Sequence, residues 1–92
     1  MEFDIIHATH FDRDFDALAR KHVATPALLE NIKATLLSDP YNITRQRKIK
    51  KLSDVKSGEG EWRLRIDKYR IRYDLEDNVV KLYSIRHRKE GY

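Results

Sequence analysis

The chain has 92 residues, with 19 Lys/Arg against 15 Asp/Glu, a net charge of +4 and no cysteine. That length supports one domain, residues 1–92, whose modest core buries roughly 60–65% of the unfolded surface; disulfides and thiolate metal sites are excluded, and no stretch approaches the ~20 apolar residues of a membrane span. The acid-containing opening MEFDIIHATHFDRDF is unlike a signal peptide, so the expected setting is the reducing cytoplasm.

Residues 2–7 alternate as a short first strand with Phe3 and Ile5 on one face. Thr9 offers an N-cap with Asp12 three residues on, and Phe11, Phe15 and Leu18 recur at helical spacing, predicting a helix to about His22. Thr25-Pro26 starts a second helix with Pro in its first turn; Leu28, Leu29, Ile32 and Leu36 form its apolar stripe, and Asp39-Pro40 ends it. The stretch QRKIKKLSD predicts a short basic strand around residues 47–52, and SGEGE, residues 57–61, a loop. Residues 62–66, 69–75 and 79–86 alternate as a meander with a turn at Asp77-Asn78. The first strand, the helices and the meander give the order β-α-α-β-β-β. This is an α+β domain, an antiparallel sheet with the two helices packed on one face and the other face left for function.

The hairpin EWRLRIDKYRIRYD carries the sharpest signal. With a turn centred between Asp67 and Lys68, Trp62 faces Tyr73, Leu64 faces Ile71 and Ile66 faces Tyr69 on the core side. Arg65 then opposes Arg70, and Arg63 opposes Arg72, on the other. Like charges directly opposite on a sheet cost a few tenths to about 1 kcal/mol per pair, and a local rule broken on an otherwise consistent element marks a working site. A phosphate resolves the conflict, because guanidinium forks match its oxygens; the alternative is a solvated lattice in which Glu61, Asp67 and Asp74 quench the arginines. The third strand pairs Leu75 with Val80, Asp74 with Lys81 and Tyr73 with Leu82, carrying Arg86, His87, Arg88 and Tyr92 toward the same end; the alternation breaks near Ser84 and does not decide between Arg86 and Arg88. Charge supports a polyanionic partner: residues 1–44 hold four Lys/Arg and seven Asp/Glu, residues 45–92 fifteen and eight. Arg45, Arg47, Lys48, Lys50 and Lys51 are expected either to grip the backbone of that polyanion, which the resemblance given below implies is RNA, or to guard a charged edge strand against aggregation.

The pattern W-R-L-R-I-x-x-Y-R-I-x-Y, followed by V-V-x-L-x-x-x-x-H-R-x-x-x-Y, resembles the RelE/ParE superfamily of bacterial toxins over the full length. The resemblance implies a type II toxin–antitoxin toxin with a cognate antitoxin as partner. RelE-like members cut messenger RNA in the ribosomal A site without a metal; ParE-like members share the scaffold and poison DNA gyrase. Carried over by position, the RelE-type site falls on Arg63, Arg65, Arg70, Arg88 and Tyr92, with Arg65, Arg70, Arg88 and Tyr92 as catalytic candidates. Arg63, Arg72, His87 and Glu61 are expected to bind substrate. Familiar members have lysine at the first two positions, where a lysine can act as base; arginine keeps its proton, which leaves Glu61, Glu59 and His87 as candidate bases.

Cleavage of this kind activates a 2′-hydroxyl against the adjacent phosphate, and arginines supply the charge stabilisation. Arg88, Tyr92 or His87 then handles the leaving oxygen. No carboxylate pair or histidine cluster has metal-ligand spacing, so neither metal nor other cofactor is expected. Three readings follow: a ribosome-dependent endoribonuclease that stops translation, a gyrase inhibitor, and a non-catalytic RNA-binding relative. An antitoxin would bring acidic side chains to the arginine face or an amphipathic helix to an apolar groove.

Overall fold

In chain order the elements are β1 (Asp4–His7), α1 (Thr9–Arg20), α2 (Pro26–Ser38), β2 (Ile49–Lys51), β3 (Trp62–Ile66), β4 (Tyr69–Glu76) and β5 (Val79–His87). They are seen in a computed structural model, which describes residues 3–21, 24–41 and 48–88. The α+β class stands; the basic strand expected around residues 47–52 forms as β2 at the sheet edge, so the order is β-α-α-β-β-β-β, one strand more than β-α-α-β-β-β. Among the described residues no helix is long and apolar enough to cross a membrane.

The helices form where the apolar spacing places them. Phe11 and Leu18 of α1 and Ile32 and Leu36 of α2 are buried, together with Leu64, Ile71, Tyr73, Val80, Leu82 and Ile85 of the sheet. Thr25 caps α2, its Oγ1 accepting the Leu28 amide at 3.2 Å, and Pro26 occupies the first turn, where no amide donor is needed. The start of α1 departs from expectation. Thr9 is already helical, and Ala8 holds the cap position without a side-chain cap. The Ala8 amide still donates to the Leu82 carbonyl at 2.9 Å while its own carbonyl accepts the Asp12 amide at 3.2 Å, so the helix opens one residue earlier than a Thr9 cap requires. Asp12 is turned instead toward His7, whose Nδ1 is 3.1 Å from Asp12 Oδ1. His22, the expected end of this helix, lies outside the described residues; α1 ends at Arg20.

The strands form a single sheet in the order β1-β5-β4-β3-β2. It is mixed rather than wholly antiparallel: β1 runs parallel to β5, from Asp4 beside Val79 to His7 beside Leu82. Parallel neighbours need a long crossover, and the helices and following strands supply it. The remaining pairs are antiparallel. The hairpin register is the expected one at all five positions, from Trp62 beside Tyr73 to Ile66 beside Tyr69. Asp67 takes φ 52° in the first turn, and Asp77 and Asn78 take 49° and 64° in the second, the left-handed pair of a tight hairpin.

Candidate nucleic-acid interface

The uncovered sheet face gathers its arginines by register. Arg63 pairs with Arg72 and Arg65 with Arg70 across β3 and β4, and Arg70 pairs in turn with Arg86 of β5. The last pairing depends on an irregularity. Tyr73 lies beside Leu82 but Arg72 beside Ser84, so Tyr83 is an extra residue on β5. Without this bulge, strict alternation from Leu82 would carry Arg86 to the helix side and Ile85 to the exposed face. With it, Ile85 is buried in the core and Arg86 joins the arginines. The ambiguity between Arg86 and Arg88 thus resolves in favour of both.

Two adjoining hollows result. One, of about 230 Å³, is lined by Leu52, Val55, Arg63, Arg70, Arg72, Arg86, His87 and Arg88. The other, of about 470 Å³, is lined by Arg65, Asp67, Lys68, Tyr69, Arg70 and Arg88. Arg70 and Arg88 border both, so the hollows form one basic groove. Arg63 Nε is buried without a hydrogen-bond partner among the described residues, a donor whose desolvation remains uncompensated. The Tyr69 phenol is pushed up from its usual range by burial and, secondarily, by the charge of Asp67, so it keeps its proton.

The quenching lattice does not use Asp74. Its buried carboxylate accepts the backbone amides of Gly58, Gly60 and Glu61 at 2.9–3.1 Å, and these bonds fold the 57–61 loop against β4. Gly60 is needed there: at φ 76°, a Cβ would lie 2.9 Å from both Arg72 Cβ and Tyr83 Cδ2. The loop in turn holds Arg72, whose Nε donates to the Gly60 carbonyl at 3.0 Å and whose Nη2 donates to the Glu59 carbonyl at 2.8 Å. Arg72 was expected to bind substrate; two of its donors are instead committed to the protein, and it forms a wall of the groove. The alternation of the hairpin does not reveal this anchoring, because it depends on Asp74 meeting a loop 13–16 residues away.

The other expected residues divide. Arg63, Arg65, Arg70, Arg88 and His87 all line the groove. The His87 ring meets Tyr69 edge-on at 5.2 Å, consistent with its register position beside that residue. Glu61 and Glu59 line neither hollow. Lys50 pairs with Arg63 and shares the arginine face, whereas Lys51 pairs with Trp62, its Nζ 5.7 Å from the indole centroid. Lys48 precedes β2, and its carbonyl accepts the Arg65 amide. Arg45, Arg47 and Tyr92 lie outside the described residues. Among the described residues no group of three or more His, Cys, Asp or Glu could hold a metal ion. Sequence reasoning missed Leu52 and Val55 as groove residues, and only the irregular alternation around Ser84 hinted at Arg86.

Residues 5–92 match the family described as ParE toxin of type II toxin–antitoxin system, parDE. The chain belongs to this family. The RelE/ParE resemblance is thereby confirmed, and the same fold recurs in solved toxin–antitoxin complexes. RelBE2 from Mycobacterium tuberculosis has a TM-score of 0.70 and 22% identity, covering 96% of this chain and 100% of that one. The E. coli DinJ–YafQ complex gives 0.72 at 13% identity, covering 97% and 96%. An archaeal RelE–RelB complex from Pyrococcus horikoshii gives 0.66 at 17%, covering 96% and 97%. At these identities the likeness is one of fold. No curated protein matches the sequence.

Proposed function

We propose that this toxin is a ribosome-dependent endoribonuclease that cuts messenger RNA in the cytoplasm without a metal. The observation that carries the reading is the convergence of Arg63, Arg65, Arg70, Arg86 and Arg88 on one groove. Arg63 adds a buried Nε without a hydrogen-bond partner among the described residues, a donor that a bound anion would satisfy. Arg70 and Arg88, common to both hollows, hold the scissile phosphate. The 2′-oxygen loses its proton and attacks phosphorus, the bond to the 5′-oxygen breaks, and a proton passes to that leaving oxygen. The products are a 2′,3′-cyclic phosphate and a 5′-hydroxyl. Guanidinium donors around the pentacoordinate phosphorus stabilise its added negative charge, an effect of about 3–4 kcal/mol per well-placed donor. A divalent cation prefers oxygen ligands, and the smaller hollow offers guanidinium groups, one imidazole and two apolar side chains.

Proton transfer falls to His87, the histidine in the lining, and the family resemblance adds Tyr92 as a second candidate for it. Arg65 and Arg63 act in electrostatic roles, since arginine keeps its proton. Lys50 extends the basic face at the sheet edge toward ribosomal RNA backbone. A cognate antitoxin, as in the solved complexes of the same fold, would silence the protein by laying acidic side chains into the groove.

The family match itself favours a second reading, inhibition of DNA gyrase in the manner of ParE. Purified toxin added to programmed ribosomes and, separately, to a gyrase supercoiling reaction tells the two apart. Cut message ending in 2′,3′-cyclic phosphate, with supercoiling intact, supports the proposal. Intact message with supercoiling blocked overturns it in favour of the gyrase reading.

A further inference from the structure

The parallel partner of β5 runs out early. Strand β1 pairs with β5 from Val79 to Leu82, and the Ala8 amide makes one last bond to the Leu82 carbonyl. Tyr83, the bulge residue, comes next, so β5 crosses its irregular point with no strand on that side. Backbone groups on such an edge need other partners, and two side chains of α1 supply them. His10 Nδ1 lies 3.2 Å from the Tyr83 carbonyl oxygen, and Asp14 Oδ2 accepts the Ile85 amide at 3.3 Å. His10 Nδ1 and Asp14 Oδ2 are themselves 3.3 Å apart. A carbonyl oxygen has only lone pairs to offer, so Nδ1 carries a proton whatever the charge of the ring. The same ring stacks on Tyr83, with centroids 5.5 Å apart and planes 19° apart. Beyond it, the Arg72 guanidinium carbon lies 5.8 Å from the Tyr83 centroid, within cation–π reach.

We propose that His10 and Asp14 are positioning residues for the basic groove, although neither lines it. Their side chains stand in for the missing strand along Tyr83–Ile85 and hold the bulge in one form. Two groove walls follow from that form: Arg72, which packs on Tyr83, and Arg86, which follows the pinned Ile85. The core alone does not achieve this. Burial of Leu82 and Ile85 requires one extra residue between them, but it leaves open how Tyr83 and Ser84 are arranged opposite Arg72. The stack on His10 and the two edge bonds select the arrangement with Ser84 buried and paired with Arg72. Guanidinium forks grip a phosphate only in the right geometry, so a loosened bulge weakens the groove without unfolding the chain. The inference rests on the nucleic-acid reading of the groove and adds the first turns of α1 to its supports.

The test compares the full chain, freed of antitoxin, with His10→Ala, Asp14→Ala and His10→Asn. Thr25→Ala, which removes the α2 cap instead, serves as the control for a general loss of stability. NMR follows the Ile85 amide exchange and the Nε–H signals of Arg72 and Arg86 with no ligand present, and a short single-stranded 2′-O-methyl RNA, which resists cleavage, reads groove affinity. In both alanine variants the Ile85 amide should exchange about 5- to 10-fold faster. The two arginine signals should move, and RNA should bind at least about threefold more weakly. His10→Asn places an amide N–H where Nδ1–H stood and should recover most of the affinity, while Thr25→Ala should leave affinity and arginine signals as in the wild type. Unmoved arginine signals in both alanine variants, no recovery by His10→Asn, or an equal loss of affinity in Thr25→Ala overturns the proposal. If the arginine signals move but the wild type binds no RNA, the nucleic-acid reading fails and the positioning role stands. If the wild type binds RNA and cuts message while those signals stay in place, the positioning role alone fails.

Discussion

On the proposed function, a single arginine in this groove works against local stability and for cleavage, and the two effects separate experimentally. Arg65 is exposed and sits directly beside Arg70. Arg65→Gln should leave unfolding free energy unchanged or raise it by a few tenths to about 1 kcal/mol, by relieving like-charge repulsion. Cleavage on ribosomes should fall by about 100-fold or more. Denaturant unfolding and a single-turnover assay read the two quantities independently. Gly60→Ala should do the reverse at the level of the fold. A methyl at φ 76°, 2.9 Å from Arg72 Cβ and Tyr83 Cδ2, should cost about 1–3 kcal/mol. Gly58→Ala at φ 92°, with open space around it, should cost less. At this scale the sequence was informative wherever alternation alone decides a side, as for Arg63, Arg65 and Arg70. It was silent where a side chain is captured by distant backbone, as Arg72 is by the Glu59 and Gly60 carbonyls.

Among the elements, the hairpin was the most legible and β5 the least. Two symmetric apolar runs around Asp67-Lys68 allow one register without mixing faces, and that register is observed. The Tyr83 bulge is a two-against-one insertion that no residue in SIRH specifies, and it decides that Arg86 faces solvent with Arg70. The parallel docking of β1 beside β5 was hidden for a similar reason: strand order depends on how the helices cross the sheet, which local periodicity does not encode. Elements are joined through Tyr73, which is buried and donates its hydroxyl to the Pro40 carbonyl, just beyond the end of α2, at 2.7 Å. Burial, and secondarily the charge of Asp39, pushes its phenol well above the usual tyrosine range. Because the folded value is raised, the contribution is fully present below the unfolded value of about 10 and is lost as pH rises beyond it. Tyr73→Phe should cost about 1–2 kcal/mol at neutral pH. It should also flatten the loss of stability above pH ~10, as measured by chemical denaturation across alkaline pH.

Across the whole molecule, charge is divided as the fold is. The acidic N-terminal half supplies both helices, and the basic C-terminal half supplies the four strands from β2 to β5 that carry the groove. That division was readable from composition, and it predicts that binding of single-stranded RNA weakens steeply with salt, by about 0.7 in log–log slope for each phosphate neutralised. The most direct measurement of the central claim is single-turnover cleavage of message on programmed ribosomes by the wild type and by Arg70→Ala, with unfolding of both proteins measured alongside. The expected result is cleavage by the wild type and at least about a 100-fold loss in the variant, with folding preserved. Equal cleavage by the two proteins, or none by the wild type, would contradict it.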